Sequence, residues 1–119
     1  MGDNRRKRRI EELILRELGR VLLTYPKQSI LNKVTITAVD VAPDLSAAKI
    51  FFSVFDEVNV SDAAKALQDE AKFLRKTLAR TINLRSTPRL DFLYDESIKR
   101  GRRISELIDA AVTDDEDQV

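Results

Sequence analysis

The stretch from Ser61 to Tyr94 combines a long helical pattern, a basic turn and a short strand pattern. Its apolar residues recur at three-and-four spacing, which places them on one helix face. They are Ala63, Ala64, Leu67, Ala71, Leu74, Leu78 and Ile82. The opposite side is cationic and carries Lys65, Lys72, Lys76 and Arg80, with Arg75 at the margin. Such a helix can pack on a core with one face and contact a polyanion with the other.

The N-terminal part of the chain predicts an amphipathic helix with a basic beginning. The unbroken run from Arg5 to Arg9 leads into an apolar stripe, and Pro26 ends the helix near Thr24 or Tyr25. Gly19 lies inside this pattern, where it costs about 1 kcal/mol relative to alanine. That cost is compatible with a close approach by a neighbouring part of the chain at Gly19.

Three segments predict β-strands. Residues 34–41 and 47–54 are rich in β-branched and apolar side chains and are separated by a turn that contains Pro43 and Asp44, so they form an antiparallel hairpin. The second segment is apolar on both faces, which indicates a central strand or one covered on both sides. Residues 89–94 alternate as a third strand, and we expect a right-handed crossover into the same sheet. The sum is a compact α+β domain in two layers.

Two details of the long helix carry separate expectations. Ser61 or Asp62 is the expected N-cap. At 100° per residue Phe73 lies roughly 140° from the middle of the apolar stripe, so an undistorted helix leaves it in water. A bend near Ala71 would return Phe73 to the core, although neither proline nor glycine is present to cause a bend there.

Charge and pattern together set the expected limits of the domain. Residues 95–112 form a last helical pattern interrupted by Gly101, and four acids follow at positions 114–117. Without those four, 21 basic and 16 acidic residues leave a net charge of +5 on residues 1–113. We expect a disordered basic terminus over 1–5, one domain with a short C-terminal helix over 6–108, and a flexible acidic tail over 109–119.

Composition argues against an enzyme. The chain has neither histidine nor cysteine, so the commonest proton-transfer groups, zinc ligands and nucleophile pairs are missing. Three glycines cannot form a P-loop or a dinucleotide-binding fingerprint. Asp91, Asp95 and Glu96 could bind magnesium, but capping of a strand end is the simpler interpretation. We expect no catalysis, cofactor, metal or small-molecule substrate, and, with neither a signal peptide nor a membrane span in the pattern, a cytoplasmic protein.

The basic residues form two dense groups that could contact RNA phosphates. A solvated surface is the alternative explanation of such groups. Exposed aromatic residues are few, with Tyr25 and Tyr94 the candidates, so backbone and shape recognition fits better than stacking on bases. The candidate RNA-binding residues are Arg5, Arg6, Lys7, Arg8, Arg9, Lys72, Arg75, Lys76, Arg80, Arg85, Lys99, Arg100, Arg102 and Arg103.

Three groups of residues form a distinctive series along the chain. They are Arg9-Ile10-x-x-x-Ile14-x-Arg16-Glu17-Leu18, then Val34-Thr35-Ile36-Thr37 leading to Pro43-Asp44-Leu45-Ser46, then Pro88-x-Leu90-x-Phe92-x-Tyr94-Asp95-Glu96-Ser97 followed by Gly101-x-Arg103-Ile104. In this order they resemble the bacterial ribosome-binding factor A family. The resemblance extends from about residue 5 to residue 107, and Pro-Asp-Leu-Ser together with Tyr-Asp-Glu-Ser makes it specific.

This resemblance implies a type II KH-like domain that lacks the usual GXXG loop and carries an Ala-any-Gly kink between two central helices. The kink would fall on Glu70-Ala71-Lys72, where Lys72 replaces the glycine and adds a cation. The resemblance also implies a non-enzymatic factor, expected as a monomer. It would bind the immature small ribosomal subunit, assist late maturation of its ribosomal RNA near the 5′ end, and help growth in the cold.

A protein-interaction adaptor is the alternative function. Such a protein would dock its first helix or an exposed strand edge against a protein partner. Arg16, Glu17 and Arg20 would then matter more than the cations of the long helix. Binding that is insensitive to salt and to ribonuclease would favour this alternative.

Overall fold

The computed structural model describes residues 2–55, 58–83 and 86–97. It contains two long helices, a short 3₁₀ helix and three strands. The strands coincide with the segments expected from alternation, because that pattern is local. The elements are α1 (Gly2–Leu23), the 3₁₀ helix (Ile30–Lys33), β1 (Val34–Val41), β2 (Ala47–Val54), α2 (Val60–Thr81) and β3 (Arg89–Tyr94).

The three strands form one mixed sheet in the order β1-β2-β3. β1 pairs antiparallel with β2, from Val34 opposite Val54 to Val41 opposite Ala48, and a bulge interrupts the register at Thr37. β2 pairs in parallel with β3, which begins opposite Ala47. The central position expected for β2 is therefore confirmed, and α2 supplies the crossover to β3 that parallel pairing requires.

The core lies between the two long helices and one face of the sheet. Alternate residues of β2 are buried, while Lys49 between them is exposed on the other face. Each fully buried large apolar side chain contributes about 1.5–3 kcal/mol relative to exposure. The most deeply buried include Ile14, Leu18 and Leu22 of α1, Ile50 and Phe52 of β2, and Leu67, Leu74 and Leu78 of α2. The expected α+β domain with a three-stranded sheet packed on helices is confirmed.

Helix α1 differs from expectation at two points. It begins at Gly2, so residues 2–5, which were expected to be disordered, belong to the helix. Arginine and lysine are good helix formers, and no proline interrupts the run. At Gly19 an added Cβ would meet nothing within 4 Å, so no neighbouring chain segment explains the glycine.

Helix α2 also departs from two expectations. Its N-cap is Asn59, whose side chain accepts hydrogen bonds from the backbone N–H groups of Ser61 and Asp62. Ser61 and Asp62 therefore lie within the first turn of the helix rather than at its cap. The helix is continuous through residues 70–72, and Phe73 remains 52% exposed. The expectation that a bend returns Phe73 to the core is wrong, because no proline or glycine releases the hydrogen-bond ladder there.

The turn between β1 and β2 closes as its sequence indicated. The Asp44 carboxylate accepts hydrogen bonds from the backbone N–H and the hydroxyl of Ser46, and these bonds lower the pKa of Asp44. Leu45 has a φ of 62°, which is a left-handed conformation that is costly for leucine. Its side chain packs against the core. The expected C-terminal helix and acidic tail lie outside the described residues, except for Glu96 and Ser97, which are helical.

Candidate nucleic-acid interface

The outer face of α2 carries three exposed cations in one row, at Lys72, Lys76 and Arg80. Their spacing of four residues places successive side chains one helical turn apart. None of them forms an ion pair within the described part of the chain. Like charges at this spacing repel one another slightly, so a polyanion that lies along the row would relieve the repulsion.

Arg75 extends the row toward the segment that precedes β3. Its Nε and Nη2 atoms donate hydrogen bonds to the carbonyl oxygen of Thr87, at 3.2 and 2.8 Å. A carbonyl carries no net charge, so the guanidinium keeps its positive charge at the surface. Arg75 thus has a structural role in fixing this segment and can still attract an anion. Arg85, in the same connection, lies outside the described residues.

The five N-terminal cations are not equivalent. Arg5, Arg6, Arg8 and Arg9 are exposed, and none is in an ion pair with a described residue. Lys7 instead contacts the Asp40 carboxylate at 3.3 Å and the Glu11 carboxylate at 4.0 Å. Glu11 also accepts a hydrogen bond from the backbone N–H of Val41 at 2.8 Å. Lys7 therefore helps to fix α1 on the end of β1 and is the least available of the five.

The fold brings the basic beginning of α1 toward one end of the α2 row. Near one end of the helix pair, the Thr81 hydroxyl of α2 donates a hydrogen bond to the Glu17 carboxylate of α1. Farther along, Tyr25, which follows α1, lines the same cavity as Phe73 of α2. The two helices therefore run antiparallel, and the basic beginning of α1 points toward the end of α2 that carries Arg80. The candidates at positions 99, 100, 102 and 103 lie outside the described residues.

Arg89, the cation at the start of β3, is paired with an acid. Arg89 forms hydrogen bonds and an ion pair with Asp91, with Nη2 and Oδ2 at 3.1 Å, and this contact raises the pKa of Arg89. Arg89 and Lys7 line the same cavity, together with Asp40, Lys49 and Asp91. Positive and negative groups alternate there, so this end of the sheet is less suited to a polyanion than the face of α2.

The carboxylates considered for magnesium are engaged in protein contacts. Asp91 pairs with Arg89, and Asp95 accepts hydrogen bonds from the Thr37 hydroxyl at 2.6 Å and from the backbone N–H of Ser97 at 3.0 Å. This is the capping role that the sequence favoured for Asp95. Within residues 2–55, 58–83 and 86–97, no group of three or more acidic residues is arranged to hold a metal ion, and no helix is long and apolar enough to cross a membrane.

Of the three residues that the adaptor alternative singled out, Glu17 helps to hold the two helices together. Glu17 is 8% exposed, and its carboxylate accepts hydrogen bonds from Arg20 and from the Thr81 hydroxyl. The hydrogen bond from Arg20 lowers the pKa of Glu17 more than burial raises it. A buried, fully engaged carboxylate is not available to a partner protein. Arg16 remains exposed, and β1 and β3 are the edges of the described sheet.

The exposed aromatic residues are not the two that the sequence indicated. Tyr94 packs edge-on against Phe52, with ring centroids 6.0 Å apart, and Tyr25 is half-buried. Phe55 and Phe73 are instead 60% and 52% exposed. The position of Phe73 on the polar side of the helical pattern was the signal that pointed to its exposure.

The element order, the mixed sheet and the helices on one face define an α+β domain of the type II KH-like class. Within that class the sequence is decisive, because the profile of the family described as ribosome-binding factor A matches residues 6–108. The chain belongs to the ribosome-binding factor A family.

Similar proteins cover nearly the whole chain. Ribosome-binding factor A of Coxiella burnetii is 40% identical over 113 residues, which is 95% of each chain. The Pseudomonas fluorescens protein of that name is 44% identical over 117 residues, covering 96% of this chain and 88% of the relative. The one from Pseudomonas syringae pv. tomato is 45% identical over 113 residues, covering 92% of this chain and 82% of the relative.

Two sets of coordinates show the same fold. A crystal structure of ribosome-binding factor A from Thermus thermophilus superposes with a TM-score of 0.67 at 26% identity, covering 74% of this chain and 93% of that one. A homology model of the Thermus thermophilus factor, fitted into a cryo-EM map of a complex between the 30S subunit and ribosome-binding factor A, gives a TM-score of 0.61 at 25% identity, with the same coverage.

Proposed function

We propose that this chain is a non-catalytic assembly factor that binds the immature small ribosomal subunit in the cytoplasm. There it assists late maturation of the ribosomal RNA near the 5′ end and supports growth in the cold. The family and the 30S complex of the Thermus thermophilus relative support the partner. The RNA contact is inferred from one observation on α2: the exposed cations Lys72, Lys76 and Arg80 form a row in which none has an ion pair with a described acid.

The other basic residues assist this row. Arg75 lies beside it, Arg5, Arg6, Arg8 and Arg9 approach from the beginning of α1, and Lys7 contributes less because it is paired with Asp40. Arg85 and the cations at positions 99, 100, 102 and 103 belong to the same proposed surface on the grounds of their charge. The protein acts as a monomer without cofactor or metal.

Co-sedimentation with immature and mature small subunits across a salt series tests this proposal. The wild-type protein should bind the immature particle preferentially, and its affinity should fall steeply with salt. Changing Lys72, Lys76 and Arg80 together to alanine should weaken binding and reduce the salt slope by about two to three, because each phosphate contact contributes somewhat less than one.

A matched control removes the same charge elsewhere. Changing Arg16, Lys33 and Lys49 to alanine also lowers the net charge by three, but these residues lie on α1, the 3₁₀ helix and β2. This variant should retain most of the affinity and the salt slope. Equal losses in both variants would show that net charge matters and the α2 row does not. Intact binding by the α2 variant would contradict the proposed surface.

A further inference from the structure

A cavity of about 330 Å³ lies where the end of α1 meets the middle of α2. Thr24, Tyr25 and Pro26 form one wall, and Glu70 and Phe73 form the other. Its volume falls within the range of about 300–1,000 Å³ that is usual for small-ligand sites. Phosphate contacts to the cationic row do not explain this cavity, because its walls are mostly apolar and include a carboxylate.

Three groups in the walls determine what the cavity can hold. The Phe73 ring is 52% exposed, although burying an aromatic side chain is favourable. The Tyr25 hydroxyl is buried and makes no hydrogen bond within the described residues, an arrangement that is uncommon for a buried polar atom. Burial first, and the nearby Glu70 carboxylate second, raise the pKa of Tyr25, so its hydroxyl stays protonated at neutral pH. The hydroxyl oxygen has almost no exposed surface, so the cavity offers an occupant an aromatic face and the Glu70 carboxylate as an acceptor.

The surroundings of the cavity are cationic. Lys72 and Lys76 flank Phe73 on α2, and Lys27 follows Pro26 on the opposite wall. All three are exposed, and none is in an ion pair with a described residue. An occupant that complements this arrangement has a flat apolar part with hydrogen-bonding edges and negative charges on either side. A nucleotide within an RNA strand has these properties.

We propose that this cavity, the Tyr25–Phe73 pocket, accepts one unpaired base of an RNA strand whose phosphates contact Lys27, Lys72 and Lys76. The base stacks on Phe73, and its N–H donors face the Glu70 carboxylate. Guanine fits best because it presents two adjacent N–H donors beside a carbonyl, whereas uracil presents one N–H between two carbonyls. The inference rests on the proposed RNA-binding function and adds the base contact to it.

Fluorescence anisotropy at low salt tests the pocket with two probes, a short oligouridine strand and the same strand with one central guanosine. Wild-type protein should bind the guanosine strand more tightly. Phe73→Ala should weaken that binding about thirtyfold, the middle of the range for one lost stacking contact. The salt slope should not change, because no charge is removed. Phe55→Ala is the matched control, since Phe55 is similarly exposed and lies outside the cavity.

Two conservative variants test the hydrogen bonds to the base. Glu70→Gln should reduce the preference for guanosine over uridine, because an amide offers only one acceptor oxygen in place of two. Tyr25→Phe should leave the binding of both strands unchanged, because the hydroxyl has no surface that a base can reach. Thermal unfolding of each variant checks that the fold is retained.

The outcomes separate this inference from the proposed function. If Phe73→Ala binds both strands and the immature subunit like the wild type, the pocket proposal is wrong and the assembly-factor proposal stands. If Phe73→Ala no longer binds the subunit but binds both RNA strands like the wild type, the pocket holds a segment of a ribosomal protein. That result also overturns the base contact. If the wild type binds neither strand nor subunit, the proposed function fails as well.

Discussion

The two long helices have the same length, 22 residues, yet they use their charged residues differently. On α1, charged side chains attach the helix to the rest of the fold: Lys7 and Glu11 contact the end of β1, and Glu17 joins Arg20 and α2. On α2, Lys72, Lys76 and Arg80 have no such contact among the described residues. A cation count therefore overstates the surface that a polyanion can use, because part of it is already neutralised within the fold.

The sequence explains this difference. Acids at positions 11, 12 and 17 lie within a turn or two of the α1 cations, so local ion pairs can form. Between Ala71 and Leu90 there is no acid at all. Lys76 and Arg80 consequently have no acid at helical spacing, whereas Lys72 has Asp69 three residues before it but forms no ion pair with it. The fold brings no other described carboxylate to these three cations. Charge segregation along the chain is thus preserved as charge segregation on the surface.

The largest expected effect on stability comes from removing the anchor of α1. Glu17→Ala should lower the free energy of unfolding by about 2 kcal/mol, because the buried hydrogen bonds to a charged group are lost and Thr81 loses a partner. Urea unfolding measures this change. Glu12→Ala, at an exposed position of the same helix, should change stability by less than about 0.5 kcal/mol. Similar effects of the two variants would show that Glu17 does not anchor the helix.

The same anchor should depend on pH. The pKa of Glu17 is lowered in the folded protein, mainly by the Arg20 hydrogen bond, so its contribution is complete above the usual glutamate pKa of 4.5. That contribution disappears as the pH falls through the lowered pKa. The difference in unfolding free energy between wild type and Glu17→Gln should therefore be constant from pH 7 to about 5 and shrink in more acidic solution. A difference that does not vary with pH would exclude this linkage.

A smaller and opposite effect is expected at Gly19. Gly19→Ala should stabilise the protein by about 0.5–1 kcal/mol, because alanine loses less backbone freedom on folding and its methyl group meets no other atom. Thermal unfolding should show a correspondingly higher midpoint. A destabilised variant would mean that α1 has a close neighbour at this point.

The smallest stability change belongs to the face of α2. Lys76→Ala should alter the free energy of unfolding by less than about 0.5 kcal/mol, since the side chain is exposed and unpaired. Binding to the immature subunit should nevertheless weaken, with a salt slope reduced by about one. Lys7→Ala should lower the free energy of unfolding more than Lys76→Ala does, and it should weaken binding to the immature subunit less. If Lys7→Ala weakens subunit binding as much as Lys76→Ala does, the ion pair with Asp40 does not keep Lys7 from contacting RNA.

Most of the fold was predictable because its signals are local. Alternation fixed the limits of all three strands, and the apolar spacing identified both helices. The cap of α2 was not predictable, because Asn59, Ser61 and Asp62 are all good cap residues and only the backbone conformation selects Asn59. Helical geometry alone leaves Phe73 exposed, and the bend near Ala71 that was expected to return it to the core gave the wrong answer.

The candidate site was predictable only in part. Sequence identified the cations of α2, but it could not show that Lys7 is paired, because Asp40 is distant in the chain and becomes its neighbour through tertiary packing. It also missed the cavity beside Phe73. That cavity joins residues from the end of α1 to residues in the middle of α2, a juxtaposition that no local pattern contains.

The parallel pairing of β2 with β3 has a consequence for the order of folding. β1 and β2 close a short turn, whereas residues 47–52 of β2 meet residues 89–94 only after α2 has bridged them. Closing the longer loop has the greater entropic cost, and contacts between distant residues form late. We therefore expect β3 to dock last. A chain still emerging from the ribosome would hold the hairpin and both helices while one side of β2 waits for its final strand.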